Sequence, residues 1–219
     1  MNTIRVAITD DQRLFRDGLR FIISSFDNLE IVLEAEHGQD LLDKLPSSSV
    51  DVILLDMEMP VLDGYETTLQ VKEQYPEVKI LLLSMHNDEH LIARMMEVGA
   101  NGYLLKDESP DILQQAIEQV VENDYFFTKY IMEAMIKSRV NPKKQKGNPM
   151  SQSAVHLTTR EIEILQLICQ QKTSKEIADE LFIAPVTVND HRKNLLSKTQ
   201  SRNTAGLVIY AIKHGYCQA

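Results

Sequence analysis

Short apolar runs alternate with amphipathic stretches through the first ~125 residues of the chain. The apolar runs predict five strands, at 4–9, 30–35, 51–55, 79–84 and 101–105. The stretches between and after them have helical spacing and predict helices at 12–25, 38–45, 64–75, 88–98 and 110–122. Continuous apolar strands that alternate strictly with helices are typical of a parallel sheet covered on both faces. The alternation therefore predicts a doubly wound α/β domain with a five-stranded parallel sheet.

Charged residues follow three of the predicted strands at the point where each strand ends. Asp10 and Asp11 follow the first strand, Asp56 the third and Lys106 the fifth. Because the carboxyl ends of parallel strands meet at one edge of a sheet, we expect these charges to converge on one crevice. Three carboxylates beside one lysine form a hard-cation site next to a carboxylate nucleophile. The pattern predicts transfer of a phosphoryl group onto an aspartate.

The residue types at this edge indicate a role for each group. Mg²⁺ prefers carboxylate, water and phosphate oxygens, so Asp11 and Asp56 would supply carboxylates while Asp10 holds a water or lies behind them. Asp56 would be the nucleophile and form an aspartyl phosphate. Lys106 and the cation would neutralise the phosphoryl oxygens. Ser84, at the end of the fourth predicted strand, would donate its hydroxyl to the new phosphoryl group.

Charge is distributed unevenly along the chain. A chain of 219 residues is long enough to form two domains. Its net charge of -9 divides into -16 over residues 1–128, +5 over residues 129–150 and +2 over residues 151–219. An acidic first part and a weakly basic last part indicate different partners for the two ends. Many of the acidic residues are nevertheless expected to lie on the surface and serve only solubility.

A basic segment separates the two parts. Residues 141–149 are rich in Pro, Gly and Lys, which predicts a flexible linker that is more typical of a solvated spacer than of a binding site. Tyr125 to Val140, just before it, predicts one more helix. We therefore expect domains at 1–124 and 154–219, joined by a helix and linker over 125–153.

Composition excludes several classes of protein. Apolar runs fall well short of the ~20 residues that a membrane helix needs. The first residues lack the long apolar stretch of a secretory signal. Cys169 and Cys217 show neither metal-site nor disulfide spacing, so we expect a reduced, intracellular (cytoplasmic) protein with no membrane partner.

The last part of the chain predicts a small all-helical domain with a helix-turn-helix. Thr158 and Glu161 fit a capping box that starts one helix. Ser174 is expected to start a short helix that ends at Leu181. After a tight turn, Pro185 suits the first turn of a longer helix that runs to about residue 198. A last helix is expected over 204–214.

Residues 1–122 resemble a response-regulator receiver domain. Four separated signals carry the resemblance: Asp10-Asp11, the block Asp56-Met57-x-Met59-Pro60-x-x-Asp63-Gly64, Ser84 and Lys106. The resemblance implies a flavodoxin-like fold, Asp56 as phosphoacceptor and Asp11 as a magnesium ligand. It further implies that the Glu58 carbonyl completes the protein ligands, that Ser84 is the switch hydroxyl and that Tyr103 is the aromatic that rotates with it.

The sequence departs from the receiver pattern at three positions. Asp107 follows Lys106 where many receivers have proline and a cis bond. Glu58 and His86 flank the phosphoryl site and would tune dephosphorylation. Tyr103, as a strand aromatic, is also compatible with simple packing.

Three blocks in the last part resemble the LuxR-type DNA-binding domain. They are Leu157-Thr158-x-Arg160-Glu161-x-Glu163-Ile164-Leu165, Ser174-Lys175-Glu176-Ile177-Ala178 and Val186-Thr187-Val188-x-x-His191-Arg192-Lys193-Asn194. With the receiver, everything except the linker resembles a NarL/FixJ-family response regulator. By position, the resemblance implies DNA contacts for Lys175, Thr187, Asn189, Asp190, Arg192 and Lys193.

The implied DNA contacts divide by type. Asn189, Asp190 and Lys193 match base-facing positions, whereas Lys175, Thr187 and Arg192 are candidates for phosphate. Asp190 would repel phosphate but can accept from cytosine N4. An equally open alternative is that Asp190 caps the helix or pairs with Arg192 or Lys193. Two further residues, Glu161 and His191, are expected to serve the scaffold.

The leading hypothesis is a transcription regulator that a sensor histidine kinase phosphorylates on Asp56, with Mg²⁺ as cofactor. When phosphorylated, a two-fold dimer would bind a pseudo-palindromic site on double-stranded DNA. One alternative is a receiver that acts through protein contacts and carries a helical tail that does not bind DNA. A second is a magnesium phosphohydrolase, which would need another catalytic aspartate just after the nucleophile, where position 58 is Glu. Self-dephosphorylation alone would not make the chain a metabolic enzyme.

Overall fold

A five-stranded parallel sheet forms the first compact unit of the computed structural model. The structure describes residues 3–128, 130–131, 157–170, 172–201 and 203–217. The strands are β1 (Ile4–Thr9), β2 (Leu29–Ala35), β3 (Val52–Asp56), β4 (Lys79–Ser84) and β5 (Gly102–Leu105). Their order in the sheet is β2-β1-β3-β4-β5, with parallel pairing throughout. This is the flavodoxin-like order that the sequence predicts, with a switch point beside β1.

Helices follow each strand, and their bounds match the predicted ranges to within two residues at each end. They are α1 (Arg13–Ile23), α2 (Gly38–Lys44), α3 (Gly64–Gln74), α4 (Glu89–Val98) and α5 (Pro110–Asn123), with a short 3-10 turn at Leu45–Ser47. Side-chain caps begin three of them: His37 accepts from Asp40 N, Asp63 from Glu66 N and Ser109 from Ile112 N. Each cap satisfies a helical N–H that would otherwise lack a partner.

The strands are apolar on both sides because both faces of the sheet are covered. Every residue of β3 is buried. Alternate residues of β3, Val52 and Leu54, lie in one core cluster with Leu19 and Ile23 of α1 and Ile117 of α5. Since side chains alternate across a strand, Ile53 and Leu55 face the opposite side, and both are fully buried.

Asn101, just before β5, ties together groups from three segments. Its Oδ1 accepts from Lys72 Nζ at 2.8 Å and from Ile80 N at 3.0 Å, while its Nδ2 donates to Asp124 O at 2.6 Å. Lys72 Nζ also donates to Val78 O at 2.7 Å. Burial lowers the pKa of Lys72 to about 7. The amide of Asn101 therefore provides the bonds that make a buried amine and a buried strand N–H tolerable.

The segment after α5 differs from the prediction. Tyr125 was expected to start a helix, but Asp124 adopts a left-handed conformation (φ 71°) that ends α5 and turns the chain. Phe126 then pairs with Gly102 and donates its N–H to Asn101 O at 2.9 Å. Tyr125 and Phe126 are both buried, so apolar burial overrides helical propensity here. The predicted linker and most of the predicted helix lie outside the described residues.

The second unit, residues 157–217, contains four helices and no strand in its described part. They are α6 (Thr159–Cys169), α7 (Ser174–Leu181), α8 (Pro185–Thr199) and α9 (Thr204–Lys213). A capping box joins Thr158 and Glu161 at the start of α6, as predicted. The cap of α7 is Thr173, which forms a capping box with Glu176, and not Ser174 as the sequence suggested. Ser174 is instead buried beneath α8.

The turn between α7 and α8 is stabilised at both ends. Phe182 takes a left-handed conformation (φ 53°) as the C-cap of α7, and Ile183 N bonds Ala178 O at 3.0 Å. Pro185 occupies the first turn of α8, where its missing N–H costs nothing. Among the described residues, no helix has the length and apolar character needed to cross a bilayer.

We expect Asn101→Leu to lower the free energy of unfolding of the first unit by about 1–3 kcal/mol, because buried donors lose their acceptor. Urea titration followed by far-ultraviolet circular dichroism measures this, since the chain contains no tryptophan. The control is Gln39→Leu, at an exposed amide on α2, where a change within about 0.5 kcal/mol is expected. Equal effects of the two substitutions would contradict the assigned role of Asn101.

Candidate functional site

An acidic crevice lies at the carboxyl ends of β1, β3 and β5. Asp10 and Asp56 are 1% and 3% exposed, whereas Asp11 is exposed at the rim. Lys106 Nζ lies 2.7 Å from Asp10 Oδ2 and 2.9 Å from Asp56 Oδ2, with its side chain 4% exposed. The structure thus brings together the four charged residues that the sequence places at strand ends.

Backbone pairing fixes these side chains. Met57 N bonds Leu83 O at 3.2 Å, and Lys106 N bonds Ser84 O at 2.9 Å, so the sheet continues past each functional residue. The Phe15 ring lies under Lys106, with its centroid 4.6 Å from Nζ, a cation–π contact that holds the ammonium in place. The peptide bond between Lys106 and Asp107 is trans, unlike the cis bond of many receivers.

Burial and neighbouring charges have opposing effects on the pKa values of the groups in the crevice. Desolvation raises the pKa of Asp56; Lys106 opposes that rise and the charge of Asp10 adds to it. Burial alone would lower the pKa of Lys106, but its bonds to Asp10 and Asp56 outweigh burial and raise the pKa. Lys106 therefore remains a cation, while repulsion between two buried carboxylates is only partly relieved.

The donor set fits a divalent cation. Carboxylate oxygens of Asp10, Asp11 and Asp56 lie within 4.8 Å of one another. Asp10 Oδ2 and Asp56 Oδ2 are buried and share the Lys106 ammonium, so one cation faces two carboxylates. Oxygen ligands with unfilled lone pairs and excess negative charge are what Mg²⁺ requires. The backbone N–H of Glu58 donates to the Asp56 carboxylate, so residue 58 lies at the site, and its carbonyl stays a predicted ligand.

The loop after Asp56 contains two constraints. A Cβ on Gly64 would lie 2.6 Å from Asp56 O and 2.8 Å from Met57 Cα, so only glycine permits the start of α3 to approach β3. Val61 has φ 69°, and Leu62 N bonds Pro60 O at 2.8 Å across it. That bond and φ match the strained γ-turn, which costs most in a β-branched residue. Sequence reasoning missed Val61, because nothing in a Pro-Val pair signals a left-handed valine.

Ser84 and Tyr103 are joined through His86. Ser84 Oγ, 2% exposed, accepts from His86 N at 3.0 Å. Tyr103, 3% exposed, donates its hydroxyl to His86 O at 2.5 Å. Both side chains thus bind the backbone of one residue in the segment between β4 and α4. His86 Nε2 lies 3.2 Å from Glu58 Oε1, and both side chains are exposed beside the crevice.

In the second unit, α8 presents one polar face. Val188, Arg192 and Leu195 are buried, whereas Asn189, Asp190 and Lys193 are exposed. On α7, Lys175 is exposed near the helix start; Thr187 and His191 are half-buried. Two helices at these lengths joined by a three-residue turn have the geometry of a helix-turn-helix.

Arg192 does not match its predicted role as a phosphate contact. It is 3% exposed, and its guanidinium donates to Ser174 Oγ at 2.8 Å and to Thr204 Oγ1 at 2.9 Å. Helical spacing explains the difference, because residue 192 lies four positions after Val188 on the inward face. Ser174 Oγ in turn donates to Asn189 Oδ1 at 2.9 Å. Arg192 therefore supports an exposed amide and does not itself reach the surface.

Two other predictions concern neighbours of this surface. Glu161 is 4% exposed, completes the capping box and pairs with Lys198 at 2.8 Å, so its predicted scaffold role is confirmed. For Asp190, no ion pair is found with any residue in the described part of the chain. The pairing alternative therefore has no support among these residues, and Asp190 lies exposed on the polar face of α8.

Comparison with known protein families covers both units. Residues 6–118 match the family described as response regulator receiver domain. Residues 155–211 match the family described as bacterial regulatory proteins, luxR family. The two matches fall on the unit that holds the acidic crevice and on the unit that holds the helix-turn-helix.

Known proteins resemble the chain over nearly its full length. It is 32% identical to the transcriptional regulatory protein DegU of Brevibacillus brevis, over 98% of this chain and 95% of that protein. It is 33% identical to the response regulator UvrY of Escherichia coli K12, over 99% and 97%. Among solved structures, the response regulator ChrA of a heme-sensing two-component system is 29% identical, with a TM-score of 0.53, over 99% of this chain and 100% of that one.

We expect Arg192→Ala to lower the free energy of unfolding of the second unit by about 2 kcal/mol, because the hydroxyls of Ser174 and Thr204 lose a buried donor. The adjacent Lys193→Ala is the matched control, and its exposed side chain predicts a change within about 0.5 kcal/mol. Urea titration by circular dichroism compares the two variants. A stable Arg192→Ala protein with weakened DNA binding would instead support the original phosphate assignment.

Proposed function

Because this chain belongs to the family of two-component response regulators that join a receiver domain to a LuxR-type DNA-binding domain, we propose that a sensor histidine kinase phosphorylates Asp56 and that the phosphorylated chain controls transcription by binding DNA. The observation that carries the proposal is the buried contact of Lys106 with Asp10 and Asp56. A lysine paired with two carboxylates at a switch-point crevice suits phosphoryl transfer onto one of them.

The chemical step uses the geometry of the crevice directly. An Asp56 carboxylate oxygen attacks the phosphorus of a phosphohistidine, and the imidazole nitrogen leaves. The Lys106 ammonium, 2.9 Å from Asp56 Oδ2, lies where it can neutralise an equatorial phosphoryl oxygen. A magnesium ion held by Asp11 and Asp56, with Asp10 and the Glu58 carbonyl, would supply the remaining charge neutralisation. The three carboxylates that meet within 4.8 Å beside a single ammonium support this assignment.

Ser84 and Tyr103 would carry the signal out of the crevice. A phosphoryl oxygen on Asp56 offers Ser84 Oγ–H a charged acceptor, and such bonds are roughly twice as strong as neutral ones. Moving Ser84 disturbs the bond from His86 N to its Oγ. Because Tyr103 is bonded to the carbonyl of the same His86, the aromatic ring is coupled to the hydroxyl through one residue. The segment between β4 and α4 would then shift as a unit.

The phosphoryl group is proposed to be lost slowly by attack of water. Glu58 and His86 stand 3.2 Å apart at the mouth of the site, with side chains 73% and 61% exposed. A pair in this position would control access of water to the phosphorus without taking part in metabolism. The chain is thus a regulator and not a metabolic enzyme, and the phosphohydrolase alternative finds no second aspartate at position 58.

DNA recognition is assigned to the exposed face of α8 together with Lys175. Asn189, Asp190 and Lys193 would face base edges, and Lys175 and Thr187 would bind phosphates. The bond from Ser174 Oγ occupies Asn189 Oδ1, so the amide nitrogen of this exposed residue would be the group offered to DNA, which favours a base acceptor such as guanine O6 or N7. Asp190 would accept from cytosine N4 and penalise other bases.

The functional assembly is proposed to be a homodimer. A two-fold dimer formed after phosphorylation would present two copies of α8 to a pseudo-palindromic double-stranded site. We place the protein in the cytoplasm because its proposed partners, the kinase domain and DNA, are there. The proposed domains remain the receiver at 1–124 and the DNA-binding domain at 154–219, with the buried Tyr125 and Phe126 added to the first.

The first test is phosphorylation. A small phosphodonor such as acetyl phosphate should add one phosphoryl group to the wild-type chain in Mg²⁺, detectable by intact mass, and none to Asp56→Asn. A metal chelator should abolish the labelling, and Asp11→Asn should reduce it severely, because the charge of the attacking and transferred groups is then uncompensated.

Asp27→Asn is the control for this test, since its carboxylate is exposed in the loop before β2, at the opposite edge of the sheet. It should be labelled like the wild type. Stoichiometric, stable labelling of Asp56→Asn would remove Asp56 from its assigned role, and labelling unaffected by chelation would remove the metal.

The second test is DNA binding as a function of salt. Affinity for duplex DNA should fall linearly with salt on logarithmic axes, and Lys175→Gln, at the proposed phosphate contact, should reduce the slope by about 1. Lys44→Gln, an exposed lysine of the first unit, should leave the slope unchanged. The phosphorylated wild type should bind more tightly than the unphosphorylated chain.

Selection of bound sequences from a random pool would give the half-site and its symmetry in the same series. A chain that shows no salt-dependent affinity, phosphorylated or not, would favour the alternative in which the helical unit contacts only proteins. That outcome would leave the phosphorylation chemistry of Asp56 intact.

A further inference from the structure

The only two cysteines of the chain meet in the second unit. Cys169 is the last residue of α6, and Cys217 follows the end of α9. Both are half-buried and unbridged. The Cys217 thiol lies within hydrogen-bonding reach of the Cys169 thiol, so the fold brings together two groups that are distant in sequence.

Three contacts of Tyr216 fix the tail that carries Cys217. Tyr216 N donates to Ala211 O at 2.9 Å, and the Tyr216 ring stacks on Tyr210 with centroids 6.3 Å apart. Tyr216 O accepts from Gln166 Nε2 at 3.1 Å. The tail is therefore held against both α9 and α6 by bonds that do not involve either thiol.

The same contacts explain why the thiols meet. Gln166 and Cys169 are three residues apart on α6 and so share one face of that helix. Cys217 is the neighbour of Tyr216, and consecutive Cα atoms are about 3.8 Å apart. The bond from Gln166 to Tyr216 therefore brings residue 217 next to residue 169. Among the described residues, neither cysteine belongs to a group of three or more metal-ligating side chains, so a metal site is not indicated.

We propose that Cys169 and Cys217 are a modification site at which oxidation by a hydroperoxide produces an intramolecular disulfide. The disulfide would hold the tail after α9 on the end of α6 and leave the polar face of α8 able to bind DNA. Neither cysteine lies on α7 or α8, which carry the proposed DNA contacts. The bond would close a long loop of chain and thereby restrict the unfolded state.

The chemistry needs two steps and one hydroperoxide. The Cys217 sulfur attacks a peroxide oxygen, so an S–O bond forms, the O–O bond breaks and water or an alcohol leaves. The Cys169 sulfur then attacks the sulfenic sulfur, the S–S bond forms, and the hydroxyl departs with the Cys169 proton as water. Two electrons pass from the thiols to the peroxide. Burial and the neighbouring thiol raise the pKa of Cys169, which favours Cys217 as the first to react.

The test treats the full-length chain with hydrogen peroxide, removes the excess with catalase and counts alkylatable thiols by mass spectrometry. We expect both thiols to disappear together, a cross-linked peptide pair containing Cys169 and Cys217, monomer mobility on a non-reducing gel and full reversal by dithiothreitol. The thermal transition of the second unit should rise by roughly 10 °C or more. Affinity for a mixed-sequence DNA duplex should stay within a factor of about two, far from the tenfold loss that 1.4 kcal/mol would cause.

Cys169→Ser and Cys217→Ser are the matched variants, and each should lose both the bond and the peroxide-dependent rise in transition temperature. Cys217→Ser removes the more peripheral thiol and keeps the test valid if substitution on α6 weakens the fold. Two thiols that remain alkylatable after peroxide, disulfide-linked dimers in place of the internal bond, or loss of DNA binding in the oxidised wild type alone would each overturn the proposal.

Discussion

The ion pairing of Lys106 with Asp10 and Asp56 is the interaction on which the first unit depends. The three residues come from the ends of β5, β1 and β3, so they meet only when the strands pair in the observed order. Two buried carboxylates beside one ammonium leave a net negative charge that the fold itself does not neutralise. The crevice would therefore gain from an added cation, and the phosphoryl group proposed for Asp56 would add charge that Lys106 must meet. The same imbalance that costs folding energy prepares the site for its chemistry.

Local sequence patterns predicted most of this arrangement, because each strand and helix is recognisable from a short stretch of residues. Apolar runs and helical spacing located all five strands and the helices that follow them, and parallel pairing then placed the charged residues at one edge. What the sequence could not supply were features set by tertiary contacts. Val61 is left-handed because the loop after Asp56 must turn within a few residues, and Phe126 is extended because burial against Gly102 outweighs its local preference. Neither depends on a recognisable local pattern.

In the second unit, too, the sequence predicts the elements but not the contacts of every side chain. The capping boxes, the turn and the polar face of α8 follow from residue type and spacing. Family position suggested a surface role for Arg192, yet helical phase places it among Val188 and Leu195, and the structure follows the phase. The two criteria conflict because a long cationic side chain can serve either as an external ligand or as an internal scaffold. Residue type alone does not distinguish them; the partners, Ser174 and Thr204, do.

Both units place a buried polar side chain directly behind their functional surface. In the first, the buried Tyr103 hydroxyl donates to the backbone carbonyl of His86, and the His86 N–H donates to the buried Ser84 Oγ, so a change at the proposed phosphoryl site would alter a backbone segment and not just one hydroxyl. In the second, Arg192 orients Ser174, which orients Asn189. In such chains of hydrogen bonds, a shift of one group displaces the next, because each group has a specific partner. A buried donor that loses its partner destabilises the protein by more than the net free energy that the bond contributed. Signal input and DNA output would thus rest on the same physical device, a polar contact that burial makes expensive to break.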